Sequence, residues 1–219
     1  MPRVATRTNP DDEPAPITTR GRTRLLKQQA ILAEAESQFA RYGFEGVSLD
    51  GIAGALGISR QNMLYYCASK EELYRAVLDN VLAAWVASME QLSAEASPQA
   101  AIAHYVRAKL RFSQERPSGT AVFTREVMAG APRYADALAA RVMPALRKDV
   151  RQLEKWAKQG LIRRTNFTHL MFVLWSATQA YADLAPQFAL FVRKPRLDQS
   201  DFDAAQVLIT DLVWNTLRA

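Results

Sequence analysis

The 219-residue sequence contains one cysteine, Cys67, and only two histidines, His104 and His169. A single cysteine excludes an internal disulfide and is typical of proteins that fold in a reducing compartment. The histidines lie far apart and have no cysteine or acidic residue at ligand spacing, so we expect no metal site and no cofactor. Because no catalytic motif and no phosphate-binding glycine loop is present either, we do not expect an enzyme.

Long apolar runs are also absent. No stretch is long enough to span a membrane, and the first residues lack the apolar segment of a secretory signal, so we expect a cytoplasmic protein with no membrane partner. Hydrophobic residues nevertheless make up 49% of the chain, which supports a substantial core. Since no strand-like alternation or internal repeat occurs, the sequence predicts an all-α fold.

Composition and helical periodicity divide the chain into three parts. Residues 1–19 contain four prolines, an acidic run and no apolar period, so we expect a disordered tail. Residues 20–69 form a small helical unit. Residues 70–219 form a larger helical domain, and its first helix, from Lys70 to about Glu90, links the two units without a flexible joint.

Two short helices joined by a glycine are predicted between Ser48 and Cys67. Ser48 is a good N-cap for a helix carrying an apolar stripe, and Gly57 follows the last apolar position, where a left-handed backbone favours glycine. Ser59 then caps the second helix. This arrangement is typical of a helix-turn-helix, whose second helix fits the DNA major groove.

The second helix separates an inward face, with Met63 and Cys67, from an outward polar face. Arginine and amide side chains can pair with base edges, and tyrosine hydroxyls can reach phosphates. The net charge of +6 and a basic arm (Arg20, Arg22, Arg24 and Lys27) are consistent with a polyanionic partner. A solvated helical hairpin is the alternative. The predicted contacts to double-stranded operator DNA are Ser48, Ser59, Arg60, Gln61, Asn62, Tyr65, Tyr66 and Lys70.

The segment resembles the DNA-binding unit of the TetR family of transcriptional regulators. That family shows a Ser/Thr-capped helix with Ile-Ala, then Gly-Val-Ser, then an aromatic run before a lysine. The matching residues here are Ser48, Ile52-Ala53, Gly57-Ile58-Ser59, Tyr65-Tyr66 and Ser69-Lys70. The resemblance implies an N-terminal three-helix DNA-binding domain, a larger helical ligand-binding domain, and repression relieved by a ligand. Cys67 departs from the pattern, because it stands where the family usually has a buried phenylalanine, and its smaller volume predicts a less stable or repacked unit.

The last two predicted helices, about 166–191 and 200–217, are apolar around most of their girth. Such helices need cover on two sides, so we expect a homodimer built through a four-helix interface. Another segment, Arg141 to Lys158, is basic and interleaved with Asp149 and Glu154. Its composition predicts a solvated helix face.

A ligand pocket is predicted on one face of the first of these two helices. Trp175, Gln179 and Asp183 are spaced four apart, so an indole for stacking lies beside an amide that matches the N–H and C=O edge of uracil or thymine. Trp85 on the linking helix can close this pocket, and Lys109 and Tyr181 are weaker candidates for its lining. Alternatively, Trp175 belongs to the core, Gln179 satisfies a backbone group and Asp183 pairs with an arginine.

Two functions therefore remain open. The first is a DNA-binding regulator released by a small planar ligand. The second is a constitutive or architectural DNA-binding dimer whose C-terminal half only dimerises. A ligand-dependent change in operator affinity distinguishes them.

Overall fold

The computed structural model describes residues 19–87, 92 and 97–218. The predicted disordered tail, apart from its last residue, lies outside these residues. The described part of the chain contains ten α-helices and no β-strand, which confirms the all-α prediction. The helices are α1 (Thr19–Tyr42), α2 (Leu49–Ala55), α3 (Arg60–Tyr66), α4 (Lys70–Ala87), α5 (Pro98–Glu115), α6 (Pro117–Met128), α7 (Ala135–Lys158), α8 (Phe167–Asp183), α9 (Ala185–Phe191) and α10 (Gln199–Leu217).

Both predicted serine caps form in the helix-turn-helix. The Ser48 hydroxyl accepts a hydrogen bond of 3.0 Å from the Gly51 amide, and the Ser59 hydroxyl accepts one of 3.1 Å from the Asn62 amide. Gly57, between α2 and α3, has φ 63°, a conformation that disfavours residues with a side chain. Short helices gain little stability by themselves, so these local signals define where α2 and α3 begin and end.

A compact apolar core fixes the orientation of α3. Phe39 of α1, Ile52 of α2, Met63 of α3 and Leu73 of α4 are all buried in it. Cys67 is buried in the same core, directly after α3. The three-helix unit is therefore packed onto the start of α4, as the helical spacing predicted.

Prolines set several helix boundaries. Pro117 occupies the first turn of α6, where its missing N–H costs nothing. Pro186 likewise lies in the first turn of α9, so the predicted helix 166–191 is divided at Leu184. Pro144 is accommodated inside α7.

Helix α5 lies at the centre of the C-terminal domain, in contact with α4, α6, α8 and α10. Helices α4 and α6 also pack against α1, so they connect this domain to the DNA-binding unit. A movement of α4 or α6 therefore changes the surface against which α1 packs. Among the described residues, no helix combines the length and apolar character needed to cross a bilayer.

One face of the C-terminal domain is apolar and uncovered in the single chain. Helices α8 and α10 pack against each other, and both carry large apolar side chains toward the solvent. These exposed side chains are Phe172, Val173, Val207, Leu208 and Leu212. Adjoining exposed apolar residues of this size are typical of protein interfaces.

Candidate functional site

Helix α3 presents a polar surface that its buried residues hold in place. Met63 is fully buried, whereas Gln61 and Tyr65 are exposed. Ser59 has its hydroxyl engaged at the helix start, so its role is to orient α3. Gln61 and Tyr65 are thus side chains of α3 that are available to base edges.

Arg60, Asn62 and Tyr66 are less free than the sequence predicted. The Arg60 guanidinium donates a 2.6 Å hydrogen bond to Asp50 of α2. Asn62 is half-buried, and Tyr66 packs partly against the core. An exposed ion pair such as Arg60–Asp50 is weak, so a DNA phosphate can displace the carboxylate. Tyr66 is only partly exposed, and its contact with DNA stays a prediction.

Lys70 points toward the protein rather than away from it. Its ammonium donates a 3.1 Å hydrogen bond to the Phe44 carbonyl and lies 4.3 Å from the centre of the Phe44 ring. The Ser69 hydroxyl accepts from the Glu72 amide and caps α4. A phosphate contact by Lys70 therefore stays a prediction, since its ammonium already has a structural role.

The predicted basic arm belongs to α1. Arg22, Arg24 and Lys27 are exposed on its first turns, not on a segment before it. The Arg24 guanidinium lies 5.5 Å from the centre of the Tyr65 ring. Arg24 therefore adjoins the exposed side of α3, and a contact of these cations with a DNA backbone stays a prediction.

An aromatic cluster that contains several of the predicted ligand-binding side chains lies inside the C-terminal domain, where α4, α5, α6 and α8 meet. The rings of Trp85 and Trp175 are 5.1 Å apart at 69°, and Phe123 stacks on Trp85 at 6.1 Å. The Trp175 indole N–H donates a 2.7 Å hydrogen bond to the Tyr105 hydroxyl. The structure thus brings together the two predicted tryptophans, and it adds Tyr105 and Phe123, which sequence reasoning missed.

Lys109 is buried in this cluster. It is 3% exposed, and its ammonium lies 3.5 Å from the centre of the Trp85 ring. Among the described residues, the ammonium nitrogen has no hydrogen-bond partner. Burial holds the pKa of Lys109 well below its usual value, and the nearby Asp149 carboxylate opposes that effect only partly.

Asp149 of α7 faces the same cluster, so its predicted place on a solvated face is wrong. It is 4% exposed, it hydrogen-bonds the Tyr105 hydroxyl, and its Oδ2 has no partner among the described residues. Burial raises the pKa of Asp149 to about 7, although Lys148, Lys109 and the Tyr105 hydrogen bond all lower it. A signal was present in the sequence: Asp149 interrupts the buried stripe of α7 formed by Leu146, Leu153 and Trp156.

Gln179 and Asp183 share a partner on α6. The Gln179 amide donates a 2.7 Å hydrogen bond to the Thr124 hydroxyl, which in turn donates to the Asp183 carboxylate at 3.0 Å. Burial raises the pKa of Asp183, and the hydrogen bonds from Thr124 and Gln179 oppose this. These contacts differ from the alternative interpretation of the sequence, in which Gln179 bonds a backbone group and Asp183 pairs with an arginine. Both groups instead tie α8 to α6.

Tyr181 is not part of the cluster. Its ring packs against Phe188 of α9 and Phe202 of α10, with centroids 5.4 and 5.9 Å apart. The reason is helical geometry, since residues two apart on a helix point to nearly opposite sides. Its predicted role in lining the pocket is therefore not supported by its position.

Helix α6 touches both this cluster and the DNA-binding unit. At one end, the Arg116 guanidinium, directly before α6, forms an ion pair with Glu36 of α1. At the other end, the buried Glu126 carboxylate accepts hydrogen bonds from the Tyr74 hydroxyl at 3.2 Å and from the Arg133 amide at 2.6 Å. A cleft of about 360 Å³ borders the Arg116–Glu36 pair, between α1, α4 and the start of α6. The contacts between the two domains are therefore polar and specific at both ends of α6.

Comparisons with known proteins agree with this architecture. Residues 31–77 match the family described as bacterial regulatory proteins, tetR family, and residues 78–219 match the YcdC-like protein C-terminal region. The chain belongs to the TetR family of transcriptional regulators. The two matched regions meet within α4, whereas the boundary predicted from the sequence lies directly before that helix.

Among TetR-family relatives, the chain is similar to the HTH-type transcriptional regulator RutR of Escherichia coli K12. The two are 38% identical over 172 residues, which cover 78% of this chain and 81% of RutR. Because its relatives are named as regulators, this TetR-family chain is a transcriptional regulator and not an enzyme.

Solved structures of the family share the fold. The ketosteroid transcriptional regulator KstR2 of Mycobacterium tuberculosis has a TM-score of 0.71 at 17% identity, covering 88% of this chain and 95% of its own. The structure of AibR in complex with isovaleryl coenzyme A and operator DNA has a TM-score of 0.69 at 16% identity, covering 85% and 97%. At such identities the likeness establishes the fold alone.

Proposed function

We propose that this chain is a repressor that binds operator DNA as a homodimer and is released by a small planar molecule held beside Trp85 and Trp175. One observation carries the proposal. Trp85, in the buried aromatic cluster, and Lys70, at the end of the helix-turn-helix, belong to the same helix, α4. A ligand that moves the Trp85 ring therefore acts on the helix that supports α3.

The uncovered face of α8 and α10 supports the homodimer. Two copies joined through this face bury its exposed apolar side chains in a four-helix interface. A symmetric pair presents two recognition helices, which a two-fold operator requires at half-sites roughly 34 Å apart. Release then needs only a change in the separation of these two helices.

Coupling between the ligand and the DNA-binding unit is supported through a second helix. Phe123 and Thr124 in the middle of α6 contact Trp85 and Gln179, while both ends of α6 are tied to α1 and α4. A ligand that competes for the Gln179 amide changes how α6 sits. The same displacement alters the Arg116–Glu36 contact at α1.

The chemistry of the cluster supports a flat heterocycle such as uracil or thymine. Indole rings offer stacking surfaces, and the Gln179 amide offers a donor and an acceptor that match the N–H and C=O groups of such a ring. Since the rings of Trp85 and Trp175 contact each other directly, binding requires them to separate. The ligand is thereby linked to a change in conformation.

The test measures operator affinity by fluorescence anisotropy, with and without uracil or thymine, using operator DNA selected from genomic fragments. Release by either base is expected, and Gln179→Ala should reduce the ratio of the two affinities. A dimer that binds DNA equally well with and without every planar ligand tried would instead be a constitutive or architectural DNA-binding protein. A chain that binds no fragment at low ionic strength would contradict the proposal altogether.

A further inference from the structure

An ionisable base and an ionisable acid lie buried in the same cluster, and each has a polar atom without a partner. Lys109 of α5 and Asp149 of α7 are 3% and 4% exposed, yet the Lys109 Nζ and the Asp149 Oδ2 have no hydrogen-bond partner among the described residues. Buried polar atoms are almost always paired, because an unpaired one loses the hydrogen bonds that water supplied. A bound molecule that supplied hydrogen bonds to both atoms would therefore be stabilised at this position.

Neighbouring side chains hold both unpaired atoms in place without supplying the missing hydrogen bonds. The Trp85 ring lies under the Lys109 ammonium at 3.5 Å, which provides a cation–π contact and leaves the N–H groups without an acceptor. The Tyr105 hydroxyl engages the Asp149 carboxyl and also accepts the Trp175 indole N–H. The aromatic residues and the polar pair are thus one connected arrangement.

We propose that Lys109 and Asp149 are the polar anchor of the ligand, and that they select a neutral planar molecule carrying a carbonyl next to an N–H group. This inference rests on the proposed function and identifies the class of ligand. Lys109 donates to the carbonyl oxygen, and the Asp149 carboxylate accepts from the adjacent N–H. Cyclic amides and imides have this edge, as uracil does.

The pair also excludes other classes of ligand. At a pH where both groups are ionised, a negatively charged ligand satisfies Lys109 but places its charge against the Asp149 carboxylate, and a cation does the reverse against the Lys109 ammonium. An acyl chain offers no hydrogen bond, so both buried groups stay unsatisfied. Gln179 is already engaged with Thr124, so the anchor proposed here is distinct from the Gln179 contact predicted from the sequence.

The first experiment uses the unaltered chain. Isothermal titration calorimetry compares uracil with 1,3-dimethyluracil, which keeps both carbonyls but has no N–H, and with orotate, which adds a carboxylate. We expect both changes to weaken binding by about ten- to a hundredfold, the cost of leaving a buried charged group unpaired. Equal affinity for uracil and its dimethyl derivative would overturn the inference.

Two substitutions then assign the roles of the residues. Lys109→Met and Asp149→Asn should each weaken uracil binding by about tenfold or more. In Asp149→Asn, the ratio of the affinities for uracil and 1,3-dimethyluracil should also be smaller than in the unaltered chain. The reason is that the N–H group removed by methylation no longer donates to a carboxylate. Lys155→Met and Asp136→Asn, on exposed positions of α7, are the matched controls. Thermal unfolding identifies any variant that does not fold.

The outcomes separate this inference from the proposed function. Release from operator DNA by a carboxylate or an acyl compound, with no binding of uracil, thymine, hydantoin or hypoxanthine, would overturn the anchor and leave the repressor intact. Uracil binding unaffected by both substitutions would also overturn it. Failure of the chain to bind operator DNA would contradict the proposed function, whereas the calorimetry with uracil would still decide the anchor.

Discussion

The buried carboxylate of Glu126 on α6 accepts a hydrogen bond of 3.2 Å from the Tyr74 hydroxyl on α4. Tyr74 also packs edge-on against Phe39 and Phe44, with centroids 4.9 and 5.0 Å apart. The contact therefore joins α6, which also packs against the aromatic cluster around Trp85, to the core of the DNA-binding unit. Burial and the Glu126 carboxylate both raise the pKa of Tyr74, so its hydroxyl stays protonated and keeps donating.

Tyr74→Phe removes this hydrogen bond and keeps the ring. Loss of one hydrogen bond to a buried carboxylate corresponds to about 1 to 3 kcal/mol, and we expect part of that energy to disappear from the coupling between sites. The ratio of operator affinities without and with ligand should fall by about fivefold. Tyr42→Phe, which alters an exposed ring of α1, is the control. An unchanged ratio in Tyr74→Phe would exclude this route of coupling.

The exposed side of α3 gives a second prediction. Gln61→Ala and Tyr65→Ala should abolish specific operator binding, because each removes a group from the surface that faces the groove, and a lost base contact costs about 1 to 3 kcal/mol per half-site. Dimerisation, measured by light scattering, and ligand affinity should persist, since both residues are remote from α8 and from the aromatic cluster. Gln159→Ala, at the exposed end of α7, is the control. A loss of the dimer would contradict the assignment of faces.

Local signals made the helix-turn-helix predictable. Ser48, Gly57 and Ser59 act within one helical turn of themselves, and Met63 and Cys67 follow the helical period, so spacing alone was sufficient. The structure retains every one of these roles. Tyr66 is less exposed than the spacing predicts, because part of its ring packs against the core.

The aromatic cluster depends on packing between segments that are distant in sequence, and residue spacing does not predict such packing. Lys109 and Asp149 influence each other electrostatically because α5 and α7 both bring a buried ionisable group to the aromatic cluster. An acidic residue in a basic stretch predicts a solvated position, but the apolar stripe around Asp149 favours a buried one. Tyr181 lies only two residues from Gln179, and its direction on the helix places its ring against α9 and α10.

Asp149 makes stability depend on pH. Its pKa is raised from 3.8 to about 7, so between about pH 4 and pH 7 the folded chain binds a proton that the unfolded chain has lost. The stability contributed by this group is therefore greatest at low pH and falls as the pH rises toward 7. Lys109, Lys148 and Tyr105 face the same carboxyl and moderate the effect.

Asp149→Asn removes this titration. The free energy of unfolding of the variant, relative to that of the unaltered chain, should increase as the pH is raised from 5 to 8. The increase should be on the order of 2 kcal/mol, or several degrees in melting temperature. Differential scanning fluorimetry at both pH values measures the gain. Asp136→Asn, at an exposed position, should show no such trend. A gain of equal size in both variants would mean that Asp149 titrates normally.

Cys67 gives a prediction about reactivity. The thiol is buried at the end of α3, and burial and the Glu72 carboxylate raise its pKa. Since the thiolate is the reactive form, the folded chain should react slowly with a disulfide reagent at neutral pH and quickly once unfolded in denaturant. Rapid reaction of the folded chain would show that the end of α3 opens readily.

The uncovered face of α8 and α10 gives the last prediction. Leu208 is 59% exposed in the single chain, and in a four-helix interface it becomes buried against the partner. Leu208→Arg then places two charges related by symmetry in an apolar interface, where a buried unpaired charge costs several kcal/mol. The variant should be monomeric by sedimentation at micromolar concentration and should bind operator DNA far more weakly, because a single half-site remains. Leu161→Arg, which alters an equally apolar exposed residue outside α8 and α10, should stay dimeric. A Leu208→Arg dimer as stable as the unaltered one would move the interface to a different face.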